Sequence, residues 1–246
     1  MKTVLITGAG TGIGKATAEH FLKNDWQVIA VGRRAEPLEN LATAAPKKVL
    51  PVTCDLSRIK DVEELAKKIQ AQPPFYETLS VLVNNAGIYE RKRFADSTDE
   101  LWQRTFETNL MGSVRITRAF LKAIERNRGV IINVSSTLGL KPVAETSVYS
   151  ALKAAMINWT QALALEIAPS GARANCVCPG IVDTPIHSFD KMDSSLRAQF
   201  EKMQPLGRVG RPEDIAHAIY SLSGPGSEWI TGASLSVDGG IILAGS

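Results

Sequence analysis

Cysteine is scarce in these 246 residues, and the three present are an odd number, which argues against a disulfide framework and for a reducing setting. No histidine or further cysteine lies close to the Cys176-x-Cys178 pair in sequence. Buried free thiols in an apolar strand are therefore the reading there, and no metal is expected. No apolar run approaches ~20 residues, so no membrane span is expected. Charge of neither sign dominates: 28 basic against 25 acidic side chains leave +3, too slight and too dispersed to argue for a nucleic-acid partner. Repeats, low-complexity tracts and interdomain linkers are also missing. The opening Met1-Lys2-Thr3-Val-Leu-Ile runs straight into a strand and leaves no room for a signal peptide, so a cytoplasmic location is expected. What remains, 44% hydrophobic and 22% charged, is the composition of an ordinary globular protein.

What is present is a regular alternation. Thr3-Val-Leu-Ile-Thr7 is a short apolar run, followed at once by Gly8-Ala-Gly10-Thr-Gly12-Ile-Gly14 and a helical pattern over 15–22. Strand, glycine turn and helix form the geometry in which backbone amides approach a pyrophosphate at a helix N-terminus. The second strand, Trp26-Gln-Val-Ile-Ala-Val31, ends in Gly32-Arg33-Arg34. An acidic residue at that place would accept from both ribose hydroxyls of NAD; here a glycine leaves space and two guanidiniums suit a 2′-phosphate. NADP is expected in preference to NAD. Lys48-Val-Leu-Pro-Val-Thr53 is a third strand, with Asp55 near the expected adenine position and Ser57 as the N-cap of an amphipathic helix through Val62, Leu65 and Ile69. Leu79-Ser-Val-Leu-Val83 ends in Asn84-Asn85-Ala86-Gly87. Helices follow over 98–108 and 110–124, and Asn109 between them either has a special partner or marks a kink, because asparagine is unfavourable inside a helix. Ala172-Arg-Ala-Asn-Cys-Val-Cys178, closed by Pro179-Gly180, and Ala233-Ser-Leu-Ser-Val237 complete the strands, with a lid-like segment over 181–211 between them. The expected fold is α/β: one domain over 1–246 with a Rossmann-type doubly wound sheet of about seven parallel strands and helices on both faces.

The stretch from Ser136 to Lys153 carries the chemistry. Val130-Ile-Ile-Asn-Val134 reads as a buried strand, so Ser136 lies just beyond a strand's carboxyl end, where open α/β sheets bind ligands. Tyr149 and Lys153, four apart on a helical run, share a face. An ammonium beside a phenol favours the phenolate and is expected to pull the tyrosine pKa down from ~10 towards neutrality, making a general acid/base.

With these pieces in order, the chain resembles the short-chain dehydrogenase/reductase family in its single-domain form. The resemblance rests on Thr7-Gly-x-x-x-Gly12-Ile-Gly14, Asp55, Asn84-Asn-Ala-Gly87, Asn109, Ser136, Tyr149-x-x-x-Lys153, Pro179-Gly180, Ile230-Thr-Gly232 and Val237-Asp-Gly-Gly240, spread over nearly the whole length. It implies that Tyr149 passes a proton to or from the substrate oxygen, that Ser136 hydrogen-bonds that oxygen, and that Lys153 tunes Tyr149 and holds the nicotinamide ribose. Asn109 would anchor a water feeding protons towards Lys153. The resemblance further implies that Gly8, Gly12, Ile13 and Gly14 surround the pyrophosphate. Asn84, Ala86 and Gly87 would line the cleft beside the adenosine ribose, Asp55 and Leu56 would lie at the adenine, and Arg33 and Arg34 at the 2′-phosphate. Ile181 and Thr184 would clasp the carboxamide end, with Pro179, Gly180 and Val182 counted among the cofactor positions. Some NADP-using relatives carry a basic residue where this chain has Thr11, so the NADP expectation rests on Gly32 and the arginines. The substrate is expected to be a small carbonyl or alcohol, in a pocket walled by Leu138, Val143, Ala144, Glu145 and the 181–211 segment. Ile186 would add to its apolar side, His187 would meet a polar substrate or lie on the lid surface, and Arg208 and Arg211 would meet an anion or flank a helix. The pattern is similar to 3-oxoacyl-carrier-protein reductases and to sugar and alcohol dehydrogenases alike, and family members are commonly homotetramers. A non-catalytic NADP-sensing regulator on the same fold is the alternative, although such relatives generally lack the tyrosine, lysine or serine.

Overall fold

The computed structural model describes residues 1–186 and 193–244. The strands are β1 (Thr3–Thr7), β2 (Gln27–Gly32), β3 (Val49–Thr53), β4 (Leu79–Asn84), β5 (Val130–Val134), β6 (Arg173–Pro179) and β7 (Ser234–Val237). Among them run α1 (Gly12–Lys23), α2 (Ala35–Ala44), α3 (Ile59–Gln70), α4 (Pro73–Tyr76), α5 (Asp99–Phe106), α6 (Gly112–Arg126), α7 (Ser147–Ile167), α8 (Ser194–Lys202) and α9 (Pro212–Ser223). All seven strands pair in parallel in the order β3-β2-β1-β4-β5-β6-β7. This is the doubly wound sheet expected from the alternating pattern. The chain winds outward from β1 to β3, then returns to place β4 on the other side of β1. The carboxyl ends of β1 and β4 thus form the switch point at which such sheets bind ligands.

Strand parity explains the two-sided burial. Val4, Ile6, Val28 and Ala30 face Phe21 of α1, Leu38 of α2 and Ile219 of α9. Leu5, Ile29 and Val31 face the opposite layer, with Leu65 of α3, Phe120 of α6 and Leu163 of α7. A strand covered on both faces reads as a continuous apolar run, which is how these strands appear in the sequence.

One local expectation changed and another was met. Ser57 does not cap α3: its amide and hydroxyl both bond Asp55 Oδ1, at 3.0 and 2.7 Å, and the helix starts at Ile59 with Arg58 as N-cap. The Asp55 carboxylate competes successfully for the serine hydroxyl. Asn109 has a special partner and also marks an irregularity, because it lies in a π-helical turn, Glu107–Met111, joining α5 to α6. Its Oδ1 accepts from the Ile88 amide and its Nδ2 donates to the Ile88 carbonyl, each at 2.8 Å.

Beneath the switch point lies a buried polar chain. Asn84 Nδ2 donates to Thr117 Oγ1 (2.9 Å) on α6 and to Asn133 Oδ1 (2.8 Å) on β5, and Asn133 Nδ2 donates to Thr160 Oγ1 (2.8 Å) on α7. These bonds fix the two helices against the strands that end at the site. Asn133→Ala should lower stability in urea denaturation by about 2–3 kcal/mol, the scale of leaving buried polar groups without partners. A loss within the scatter of surface substitutions, below about 0.5 kcal/mol, would remove this chain as a determinant of the fold.

Candidate active site

The glycine turn and the loop after β4 are stitched together at the switch point. Thr7 Oγ1 accepts from the amides of Asn85 (2.9 Å) and Ala86 (3.0 Å), and Asn85 Nδ2 donates to the Thr7 carbonyl (2.9 Å). The approach leaves no room for side chains. Gly8 has φ +69°, and a Cβ on Gly14 would lie 2.2 Å from the Gly8 carbonyl oxygen. Only glycine meets both demands.

A cleft of about 350 Å³ opens from this turn and is lined by Gly8, Arg33, Arg34, Asp55, Leu56, Ala86 and Gly87 among others. Seven of the expected cofactor positions therefore come together in one concavity. Arg33 and Arg34 are exposed at its lip, and neither is in an ion pair among the described residues. Burial alone would push the Asp55 carboxyl up, but the bonds from Ser57, with Arg33 and Arg58 nearby, outweigh it and hold the carboxyl below its ordinary value. Asn84 is placed differently from expectation: its side chain is buried in the polar chain beneath the sheet and does not face the cleft.

Past the carboxyl end of β6, Gly180 N bonds the Val237 carbonyl (3.1 Å), and Ile181 to Asp183 pair with Gly210. Thr137 Oγ1 donates to the Pro179 carbonyl (3.3 Å), which ties the 3₁₀ turn Thr137–Gly139 to this strand end. Thr184 is turned onto the glycine turn, with its Cγ2 3.2 Å from the place a Cβ on Gly12 would take. His187 lies outside the described residues. Arg208 is bonded to both carboxylate oxygens of Asp214 at 2.7 and 3.0 Å, which makes it flanking charge of α9.

The catalytic candidates converge between β5 and α7. Ser135 Oγ donates to the Lys153 carbonyl (2.8 Å), Ser136 hydrogen-bonds the Tyr149 phenol, and Lys153 Nζ donates to the Val134 carbonyl (2.7 Å). A Cβ on Gly87 would stand 3.4 Å from Asn109 Oδ1 and 3.9 Å from Lys153 Nζ, so both side chains border that glycine. The Tyr149 ring packs edge-to-face on Tyr89, centroids 4.9 Å apart, and the Lys153 ammonium lies 5.5 Å from the Tyr149 centroid.

This geometry corrects the expectation for Tyr149. Burial, with Tyr89 adding to it, pushes the phenol above its ordinary value, and the bond with Ser136 only partly opposes that. Lys153 shares the face of Tyr149 as the spacing requires, but its hydrogen bond goes to Val134, so it does not lower the phenol. Burial instead lowers Lys153 from 10.5 to about 8, partly offset by the thiols of Cys176 and Cys178. Those two cysteines are buried free thiols, packed with Ile157, as read from the sequence.

Sequence reasoning does not single out Thr7 or Asn85 as positioning residues, nor Tyr89. The first two adjoin motif positions, so their place was visible but not their bonding. Tyr89 stands in a loop, where no periodicity reveals what a ring touches. Val143, Ala144 and Glu145 are exposed, and Glu145 is held by Arg91 at 2.8 Å.

A parallel doubly wound sheet, a glycine cradle at its switch point and a serine, tyrosine and lysine at the adjoining strand end define an oxidoreductase of the Rossmann class. The family model described as enoyl-(acyl carrier protein) reductase matches residues 8–242. A putative ketoacyl reductase of Streptomyces coelicolor is 34% identical over 98% of this chain and 97% of its own length. Two solved structures superpose with TM-scores of 0.89 at 31% identity: ElxO with NADP bound, over 99% of each chain, and a 3-ketoacyl-(acyl-carrier-protein) reductase from Brucella melitensis complexed with NADH, over 98% of each. The chain belongs to the short-chain dehydrogenase/reductase family, enzymes acting on C=O and CH–OH groups.

Lys153 has a consequence that can be measured without substrate. Its folded pKa lies below its unfolded value, so at pH 7 the native state carries a buried charge whose cost, about 3 kcal/mol from the shift of 10.5 to about 8, is fully present. Lys153→Met should raise the thermal midpoint at pH 7, and the gain should shrink as the pH rises from about 8 to 10.5. An unchanged or lowered midpoint at pH 7 would show that the Val134 bond outweighs the burial.

Proposed function

We propose that the protein reduces a ketone, or oxidises the matching secondary alcohol, with NADP as cofactor and Tyr149 as general acid/base. The observation that carries this reading is the meeting of Ser136, Tyr149 and Lys153 beside Gly87, a residue of a glycine-floored cleft that is also lined by two arginines outside any ion pair among the described residues. The residues fit the cofactor: the cradle at Gly8 and Gly14 excludes any Cβ, and Arg33 and Arg34 offer bidentate donors for a 2′-phosphate. The bound dinucleotide supplies or accepts hydride at the substrate carbon. In reduction the Tyr149 phenol donates its proton to the carbonyl oxygen while Ser136 Oγ donates a hydrogen bond to the same atom. A phenol raised by burial is protonated at neutral pH, the form that donates in the reduction step. Lys153, held by Val134, places its ammonium 5.5 Å from the Tyr149 ring centroid, where its charge favours the phenolate left behind.

The convergence of all three groups speaks against a purely nucleotide-sensing role. The segment over 181–211 is read as the substrate side of the cleft. The exposed small face of α7, with Ala151 and Ala154 and, about three turns further along that face, the exposed Leu165, supports a homotetramer. No helix of the described residues is long and apolar enough to cross a membrane, and three free thiols suit a reducing compartment such as the cytoplasm.

Tyr149→Phe should lower turnover by about 10²–10⁴-fold, the range for a positioned acid/base, while NADPH fluorescence titrates as in the wild type. Retained turnover would exclude Tyr149 from the proton step. Replacing Arg33 and Arg34 together by alanine should weaken NADPH about tenfold or more, the effect of losing charged hydrogen bonds, and leave NADH nearly unchanged. Equal losses for both cofactors would remove the basis for NADP preference.

A further inference from the structure

We propose that Arg115 and Glu107 are a positioning pair that couples the adenosine end of the cleft to the turn carrying Asn109; this rests on the reading of the cleft as a dinucleotide site. Arg115 projects from α6 and is almost wholly enclosed, with 12% of its side chain exposed. Its Nη1 donates to the carbonyls of Leu56 (3.4 Å) and Ser57 (3.1 Å), and its Nη2 donates to Glu107 Oε2 at 2.6 Å. Gln103 Nε2 donates to the other carboxylate oxygen of Glu107 at 3.0 Å. The guanidinium therefore holds two structures at once: the loop that carries Asp55 and Leu56 at the adenosine end, and the first residue of the π turn.

The π turn faces the cleft as well. Thr108 lines the cleft, as do Leu56 and Ile88. The next residue, Asn109, clasps the Ile88 backbone through both amide atoms and approaches Lys153 across Gly87. Contact is also direct, because a Cβ on Gly112 would lie 2.9 Å from Leu56 Cβ. Bonds thus run from the Leu56 carbonyl through Arg115 to Glu107 at the start of the π turn, and that turn carries Asn109 to Gly87, which Lys153 also borders. π turns are uncommon and concentrate at functional sites, and a wide turn has fewer well-formed backbone bonds to hold its own shape. An enclosed ion pair with further hydrogen bonds is suited to holding it, because its donors and acceptors have fixed directions. Neither residue contacts the reacting atoms; both act through Asn109 and Leu56.

The test uses the full-length protein and a fragment that fills only the adenosine end, adenosine 2′,5′-bisphosphate. Its affinity is measured for the wild type, Arg115→Met, Glu107→Gln and the double variant, with NADPH titrated on the wild type in the same series. Each single change should weaken the fragment about tenfold, the scale of coupling between sites, and the double variant should be no weaker than Arg115→Met alone. In the wild type the fragment should slow hydrogen exchange at the amides of 107–111, and either single change should abolish that slowing. Glu107→Gln is nearly isosteric and carries the test by itself if Arg115→Met does not fold. Wild-type affinity in the variants, additive losses, or slowed exchange that survives Glu107→Gln would overturn the coupling. A wild type that binds neither NADPH nor the fragment would overturn the dinucleotide reading beneath it.

Discussion

The structure is arranged around one buried ammonium. Lys153 is 3% exposed and forms no ion pair among the described residues, so its charge is balanced by the Val134 carbonyl, the Tyr149 ring and the neighbouring thiols. Such a group is costly to bury and would turn towards water if its surroundings were loose. They are not loose. Ser135 bonds the Lys153 carbonyl, the turn Thr137–Gly139 packs on the α7 backbone, and the Asn133–Thr160 bond holds α7 two turns further along. The rigid β5–α7 junction is what keeps this cation in place beside the Tyr149 ring.

The two ends of the cleft differ in kind. Beside Gly87 the serines, Tyr149 and Lys153 are hydrogen-bonded and largely enclosed, which preorganises them. At the lip Arg33 and Arg34 stand in solvent, where a phosphate would meet mobile and salt-screened charges. Binding at the first end costs little reorganisation, whereas binding at the second depends on ordering long side chains. The enclosed Arg115 lies behind the lip and gives that end the fixed loop that exposed arginines cannot supply.

Much of this was legible in the sequence because it rests on period and punctuation. Val130-Ile-Ile-Asn-Val134 can be little other than a buried strand, and Gly8 to Gly14 little other than a backbone approach. Asn109 announced itself by standing where a helix disfavours it. The misreadings concern competition between partners, which spacing does not encode. Ser57 was available to cap a helix but met the Asp55 carboxylate first. Asn84 could have faced the cleft or the layer beneath, and Asn133 and Thr117 decided it. The i, i+4 relation placed Lys153 beside Tyr149 correctly, yet the sign of the phenol's shift depended first on its burial and then on Tyr89, contributed by another loop, while Nζ donates elsewhere.

The same division explains why the reaction class is far clearer than the substrate. Every group assigned to hydride and proton transfer lies at a strand end or on a helix of the sheet scaffold, where its place is over-determined by packing. The groups that would touch the rest of a substrate lie in the loops after β4, β5 and β6: Tyr89 against Tyr149, Arg91 bonded to Glu145, and Ile186 at 42% exposure. Glu145 takes φ +69°, a conformation that costs a non-glycine residue about 1 kcal/mol, and its carbonyl and carboxylate are both engaged, by Lys92 N and Arg91. A strained residue held at both its backbone and its side chain fixes the distance between two loops. That distance can change by substitution in the loops without disturbing the sheet scaffold beneath.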